Sequence, residues 1–299
     1  MAPKKHAGKD AGTAPKRRTR QTHKPTEPGR EGRGRDAVLR VLARGPLLEV
    51  RCGAAAAPAA GFDRAVTFDG STTHFGVYYQ TGFSNGPAIA AGILAVCERD
   101  YAAMSEFFNQ LALPNLPLNV VIAPGIGGAY HYGCTGTDLY CDGDSATPPN
   151  LDLTRFLMVA EAVEVFSAAQ NRGWDCGASN GEGLSRVLAT ELYPAQLDGF
   201  ATAAAWLDSP RPDWVSRTDP TDQNAVSTGC AVLFLNYLHY QLGFAWPAVV
   251  AAAGATLEAC YQTLTGKQEG FAPFKALLDS RFPPGRPSGL NSDNPFPIA

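Results

Sequence analysis

The run Phe156-Leu-Met-Val-Ala-Glu-Ala-Val-Glu-Val-Phe166 holds two carboxylates, Glu161 and Glu164, three residues apart in otherwise apolar sequence. On a helix that spacing sets both on one face. Carboxylates among Leu157, Val159, Val163 and Val165 are costly unless a cation, a proton or hydrogen-bond donors compensate them. A third acid, Glu182, follows in Asn180-Gly-Glu-Gly-Leu-Ser-Arg186, where a turn opens another helix. A helix–helix contact can then gather all three. With His131 of Ala129-Tyr-His-Tyr132 they form an oxygen-rich set suited to manganese or iron rather than to structural zinc. Three chemistries fit such a set: metal-assisted hydrolysis, ligand binding without catalysis, or a structural cluster hydrogen-bonded to donors or protonated. Arg186, four residues after Glu182, is spaced for a helical ion pair with it.

These side chains need elements to hold them. Alternation and β-branched or aromatic content predict a strand over Thr72–Tyr79, and a helix follows from Pro87 to Leu111. A short buried strand is expected at Leu118–Ala123, a glycine-rich strand or sheet edge at Gly125–Gly133, and a further short strand at Asp138–Cys141. The acidic helix is placed at Leu153–Gln170. Later helices are expected at 183–192, 194–207, 225–242, 247–253, 256–265 and 271–280, with a proline-rich loop around 209–222. Strands early and helices late predict an α+β fold, a small mixed sheet followed by a helical half.

This order of elements, with Ala160-Glu-Ala-Val-Glu164 and Glu182, resembles the zincin fold of Glu-zinc metallopeptidases over roughly residues 66–192. In that family a helix carries HExxH, whose two His bind zinc while its Glu activates water, and a later Glu is the third ligand. The resemblance implies Glu161 as the catalytic base, Glu164 and Glu182 as metal ligands, and zinc, manganese or iron as the cofactor. It also implies an edge strand around Gly128, Tyr130 and His131 that aligns an extended peptide by strand addition. Two departures stand out: Ala160 replaces the first His and has no donor, and Glu164 replaces the second. The resemblance therefore implies a metal-dependent peptide or amide hydrolase with an altered site, or an inactive relative. A non-catalytic peptide- or glycan-binding protein using the same cleft is the alternative.

Other candidates are weaker. His131 beside two Tyr residues also fits a hydrogen-bonded edge residue, His74 a structural role and His239 a helix surface. Ser185 lies in GLSR, not GxSxG. Gly125-Ile-Gly-Gly128 lacks the spacing of a dinucleotide site, and Asp138–Asp144 does not fit an EF-hand. None of the seven Cys forms a CxxC pair. Cys134 and Cys141 flank a turn and are candidates for a disulfide in an oxidising compartment, whereas Cys97, Cys230 and Cys260 fall in helical patterns as core residues.

Composition bounds the rest. The 299 residues are 45% hydrophobic and 18% charged, which is globular, and no run of 18 apolar residues predicts a membrane span. Residues 1–51 hold 14 Lys+Arg against 5 Asp+Glu, a balance of +9 that leaves −12 on the remainder. The first 35 residues have no aromatic side chain and are expected to be disordered. Such a tail can meet nucleic acid only through phosphates. The expected organisation is a basic tail over 1–51 with its linker, one domain over 62–282, and an irregular C-terminal tail over 283–299. Residues 36–61 imitate an export signal, but Arg40, Arg44, Glu49 and Arg51 interrupt its apolar core. A cytoplasmic location is the default expectation, secretion the alternative were the start mis-set.

Overall fold

The computed structural model describes residues 62–196 and 200–299. The basic tail, the segment 36–61 and Cys52 lie outside the described residues.

Five strands form one mixed sheet, ordered β1-β2-β3-β5-β4. Strands β1 (Val66–Ser71) and β2 (Phe75–Gln80) make an antiparallel hairpin. Strand β3 (Leu118–Ala123) runs parallel to β2, and β5 (Asp138–Asp142) runs parallel to β3. The two-residue β4 (Ala129–Tyr130) closes the far edge antiparallel to β5. Helices follow, so the α+β class and its order are those the sequence predicts.

Side chains alternate across the sheet, as the two-residue strand period demands. Phe75, Val77, Val120, Ile122, Leu139 and Cys141 join the main core with the helices. Tyr78, Val121 and Tyr140 point the other way and join Val66 in a smaller cluster, covered by Phe62, Phe68, Tyr130 and Tyr132.

Two helices, α1 (Gly86–Leu94) and α2 (Cys97–Phe107), connect β2 to β3. The sequence predicts one helix here. Glu98 accepts from the backbone N–H of His74 at 2.8 Å and lies 2.6 Å from its ring Nδ1, which tethers the second segment to the hairpin. His74 also stacks on Tyr101, so its structural role holds. The expected strand from Thr72 is also divided: residues 72–74 form the hairpin turn, and β1 lies upstream of it.

The central helix is α3 (Leu151–Gln170). Asn150 caps it by accepting from the Asp152 N–H, and Asn171, with φ of 51°, ends it in the left-handed conformation. It is buried nearly all round, as its sequence predicts, and packs against β5 and α4 (Ser179–Leu192). Helix α4 packs in turn on α6 (Ala225–Asn236), which also contacts α5 (Ala203–Leu207). A π-helical turn at Tyr237–Gln241 extends α6, and α7 (Trp246–Ala251), α8 (Leu257–Thr265) and α9 (Phe271–Arg281) complete the helical half. The predicted helix over 194–207 reduces to a 3₁₀ turn at Pro194–Gln196 and the short α5.

Residues 283–299 contain no helix or strand, yet they are packed. Phe296 and Ile298 are buried, and Asp293 accepts from the N–H groups of Thr202 and Ala203 at 2.8 and 2.7 Å, holding the start of α5. Among the described residues, no helix is long and apolar enough to cross a membrane.

Candidate functional site

Helix α3, helix α4 and the segment around β4 line a cleft of about 290 Å³. From α3 come Phe156, Leu157, Ala160, Glu161 and Glu164. From α4 come Glu182, Ser185 and Arg186. Residues 126–130 form a further part of the lining, with Phe200, Asp222 and Gln223.

The glycine-rich segment is less strand-like than its composition suggests. The Asp142 carboxylate accepts from the backbone N–H groups of Gly125, Ile126 and Gly127 at 2.9, 3.3 and 2.9 Å, which folds them into a loop. Gly125 and Gly127 have φ near 75° and 78°, where a side chain would be strained. Gly128 then accepts from the Asp142 N–H at 2.8 Å, and Ala129 and Tyr130 pair with β5. Tyr130 stacks on Tyr140 with ring centroids 4.9 Å apart while also lining the cleft.

His131 follows on the opposite pleat and turns toward α3. It is fully buried and is not among the residues that line the cleft. Its Nδ1 is hydrogen-bonded to Glu161 Oε2 at 2.7 Å and lies 3.8 Å from Glu164 Oε2. The imidazole therefore gives Glu161 a buried hydrogen-bond partner on this apolar helix. The sequence offered His131 as a metal ligand, a substrate contact or an edge residue. The structure makes it the partner of the acidic helix, a role the pleat parity relative to Tyr130 could have signalled.

Glu182 sits between Gly181 and Gly183, and neither position has room for a side chain. A Cβ on Gly181 would fall 2.1 Å from the Asp175 carbonyl oxygen, and one on Gly183 would fall 2.7 Å from the Ala231 methyl. These close approaches seat the first turn of α4 against its preceding loop and α6. Arg186 donates from Nε to Glu182 Oε1 at 2.7 Å, as the spacing predicts, and its Nη1 donates to the Phe200 carbonyl. Ser185 donates to the Glu182 carbonyl at 3.0 Å and reaches Glu164 Oε1 at 3.4 Å. Both acidic helices thus meet at the cleft. It presents Glu161, Glu164, Glu182 and Asp222 against the single guanidinium of Arg186.

The metal implied by the zincin resemblance fits these residues poorly. Ala160 reaches the cleft with only a methyl group. Glu182 is already bonded to Arg186, whose fixed positive charge at a ligand carboxylate opposes a second cation. Glu161, at the base position, is bonded to His131.

Sequence reasoning missed the covalent tie behind the cleft. Cys134, just after β4, forms a disulfide with Cys176, in the loop before α4. The expected pairing of Cys134 with Cys141 is thereby corrected. Strand alternation buries Cys141 on the helix side of β5, where burial above all, then the negative charge of Glu161, raises its thiol pKa well above the usual range. Cys97, Cys230 and Cys260 are buried free thiols, as predicted, and burial pushes Cys260 up to about 12. His239 is half-buried, hydrogen-bonded to the Phe244 carbonyl and stacked on Trp246.

No family model matches the sequence, and no curated protein is significantly similar to it.

Proposed function

We propose that this chain is a zincin-like, metallopeptidase-related protein that binds an extended peptide in the cleft without hydrolysing it. The observation that carries the reading is the state of the motif positions. Ala160 has no donor, Glu161 is bonded to His131, and Glu182 is bonded to Arg186. Each acid at those positions has a protein partner where a peptidase would have a metal or a water.

The lining supports a peptide ligand. Strand β4 pairs with β5 along one side, and its residues reach the cleft on the other, an arrangement open to strand addition. Phe156, Leu157 and Phe200 supply apolar contact, and four carboxylates against one guanidinium favour peptides carrying Lys or Arg.

The test is an extended-peptide array probed with the full chain in its disulfide-bonded form, with and without a chelator. Binding of basic peptides that survives chelator, weakens with salt and falls on Glu182→Ala, with every peptide recovered intact by mass spectrometry, is the expected result. Chelator-sensitive cleavage of any peptide would refute the non-catalytic reading and restore the altered metallohydrolase.

A further inference from the structure

We propose that reducing the Cys134–Cys176 disulfide opens a buried zinc site made by His131, Glu164 and Cys176. One donor atom from each of these residues lies within 4.8 Å of the others, and all three residues are buried. Donors around a tetrahedral zinc ion lie about 3.4–3.8 Å apart, so only small side-chain shifts separate this cluster from a coordination shell. Glu164 lines the cleft but His131 and Cys176 do not, and this inference does not rest on what the cleft binds.

The donor chemistry selects the ion. Imidazole nitrogen, carboxylate oxygen and thiolate sulfur together suit zinc, whereas magnesium and calcium call for oxygen alone. The charges balance as well. Neutral imidazole with one carboxylate and one thiolate cancels the charge of a divalent cation, which lowers the cost of burying it.

The disulfide is the gate, because a sulfur bonded to another sulfur carries no thiolate charge to offer a metal. Cys176 also forms a second cluster with Cys134 and Asp175, so the same sulfur serves both arrangements. Cys134 is the more exposed partner, and Cys176 is buried. A dithiol reductant attacks Cys134 Sγ through one thiolate, forming a mixed disulfide and expelling the Cys176 thiolate. The reductant's second thiolate then breaks the mixed disulfide, leaves as its own cyclic disulfide and frees the Cys134 thiolate. Two electrons pass from reductant to protein, and zinc takes the Cys176 thiolate in place of a proton. The fourth position falls to water or to Cys134.

The experiment measures zinc per chain, by mass spectrometry after equilibration and gel filtration, for the full chain with and without a phosphine reductant. The oxidised chain is expected to hold almost none and the reduced chain about one equivalent. Cys134→Ser, which cannot form the disulfide, should bind zinc without reductant, while Cys134→Ser/Cys176→Ser should not. Cobalt titration of the reduced wild type gives a readout that needs no variant, since a thiolate–cobalt charge-transfer band reports sulfur ligation directly. Zinc uptake equal in oxidised and reduced chains, or no thiolate–cobalt band on reduction, would overturn the proposal. So would a double variant, folded by circular dichroism, that binds as Cys134→Ser does.

Discussion

Replacing Glu161 by Ala should be among the most damaging single changes at the cleft, because it removes a buried hydrogen bond to the His131 imidazole. His131 is fully buried and Glu161 nearly so, and they meet at 2.7 Å. Losing one partner of a buried hydrogen bond costs about 1–3 kcal/mol. For on the order of 240 folded residues, an unfolding entropy near 2.1 cal/mol/K per residue gives about 0.5 kcal/mol per degree. Glu161→Ala should therefore lower Tm by about 2–6 °C. Glu182→Ala breaks a partly exposed helical pair and should cost about 1 kcal/mol or less, near 2 °C. Scanning calorimetry on both variants, and on His131→Asn with and without Glu161→Ala, would measure the coupling. A Tm for Glu161→Ala within about 1 °C of wild type, or strictly additive effects in the cycle, would refute the claim that His131 and Glu161 stabilise the fold as a pair.

Further expectations concern the frame around the cleft. The Cys134–Cys176 bond spans a sequence separation of 42, and losing that loop constraint should cost about 4 kcal/mol, or about 8 °C. Thermal melts of Cys134→Ser/Cys176→Ser with chelator present would check it. Asp279 pairs with the buried Arg211 and with Lys275. Burial raises its pKa, but the hydrogen bonds and charges of Lys275 and Arg211 outweigh it and hold the carboxyl below its ordinary 3.8. A depressed acid contributes stability that is present above its unfolded pKa and lost as pH falls through the folded one. Wild type should thus lose more stability than Asp279→Asn below about pH 4, as urea titrations at pH 3 and 7 would show. A Cβ on Gly229 would lie 2.2 Å from the Thr202 carbonyl oxygen, so Gly229→Ala must push α6 off the start of α5. That should cost about 1–3 kcal/mol by chemical denaturation.

What the sequence revealed about this molecule divides by distance along the chain. Helix α3 was legible because its apolar content and the Glu161–Glu164 spacing are local, and so was the pairing of Glu182 with Arg186. Strand β3 was legible at its full extent from a short apolar run. Strand β1 (VTFDGS) was not legible because its alternation is weak and it takes its order from β2. The partner of Cys134 was not legible at all. Cys141 is near in sequence, but strand alternation carries it into the helix-side core, and Cys176 arrives only when α3 and α4 fold back together. His131 was recognised as a candidate, yet its direction depends on which residue of the short β4 first pairs with β5. That register is decided by Asp142, which gathers the preceding N–H groups. The first 61 residues lie outside the described structure, so the expected tail has no structural counterpart to compare.

The two margins of the sheet carry a consequence for assembly. At one, the β1–β2 register shifts between Phe68 and Gly70, and the intervening Asp69 is exposed, so the ladder is kinked and charged. At the other, β4 offers only Ala129 and Tyr130. Unpaired edges are where sheets recruit neighbouring molecules, and irregularity, charge and shortness all discourage it. Stacking of one chain on the next through this sheet is accordingly disfavoured at both ends. A strand that does pair with β4 gains too few main-chain bonds to hold by those alone. Its residence must come from side chains that match the surrounding walls, which makes composition, rather than mere extendedness, the criterion for entry.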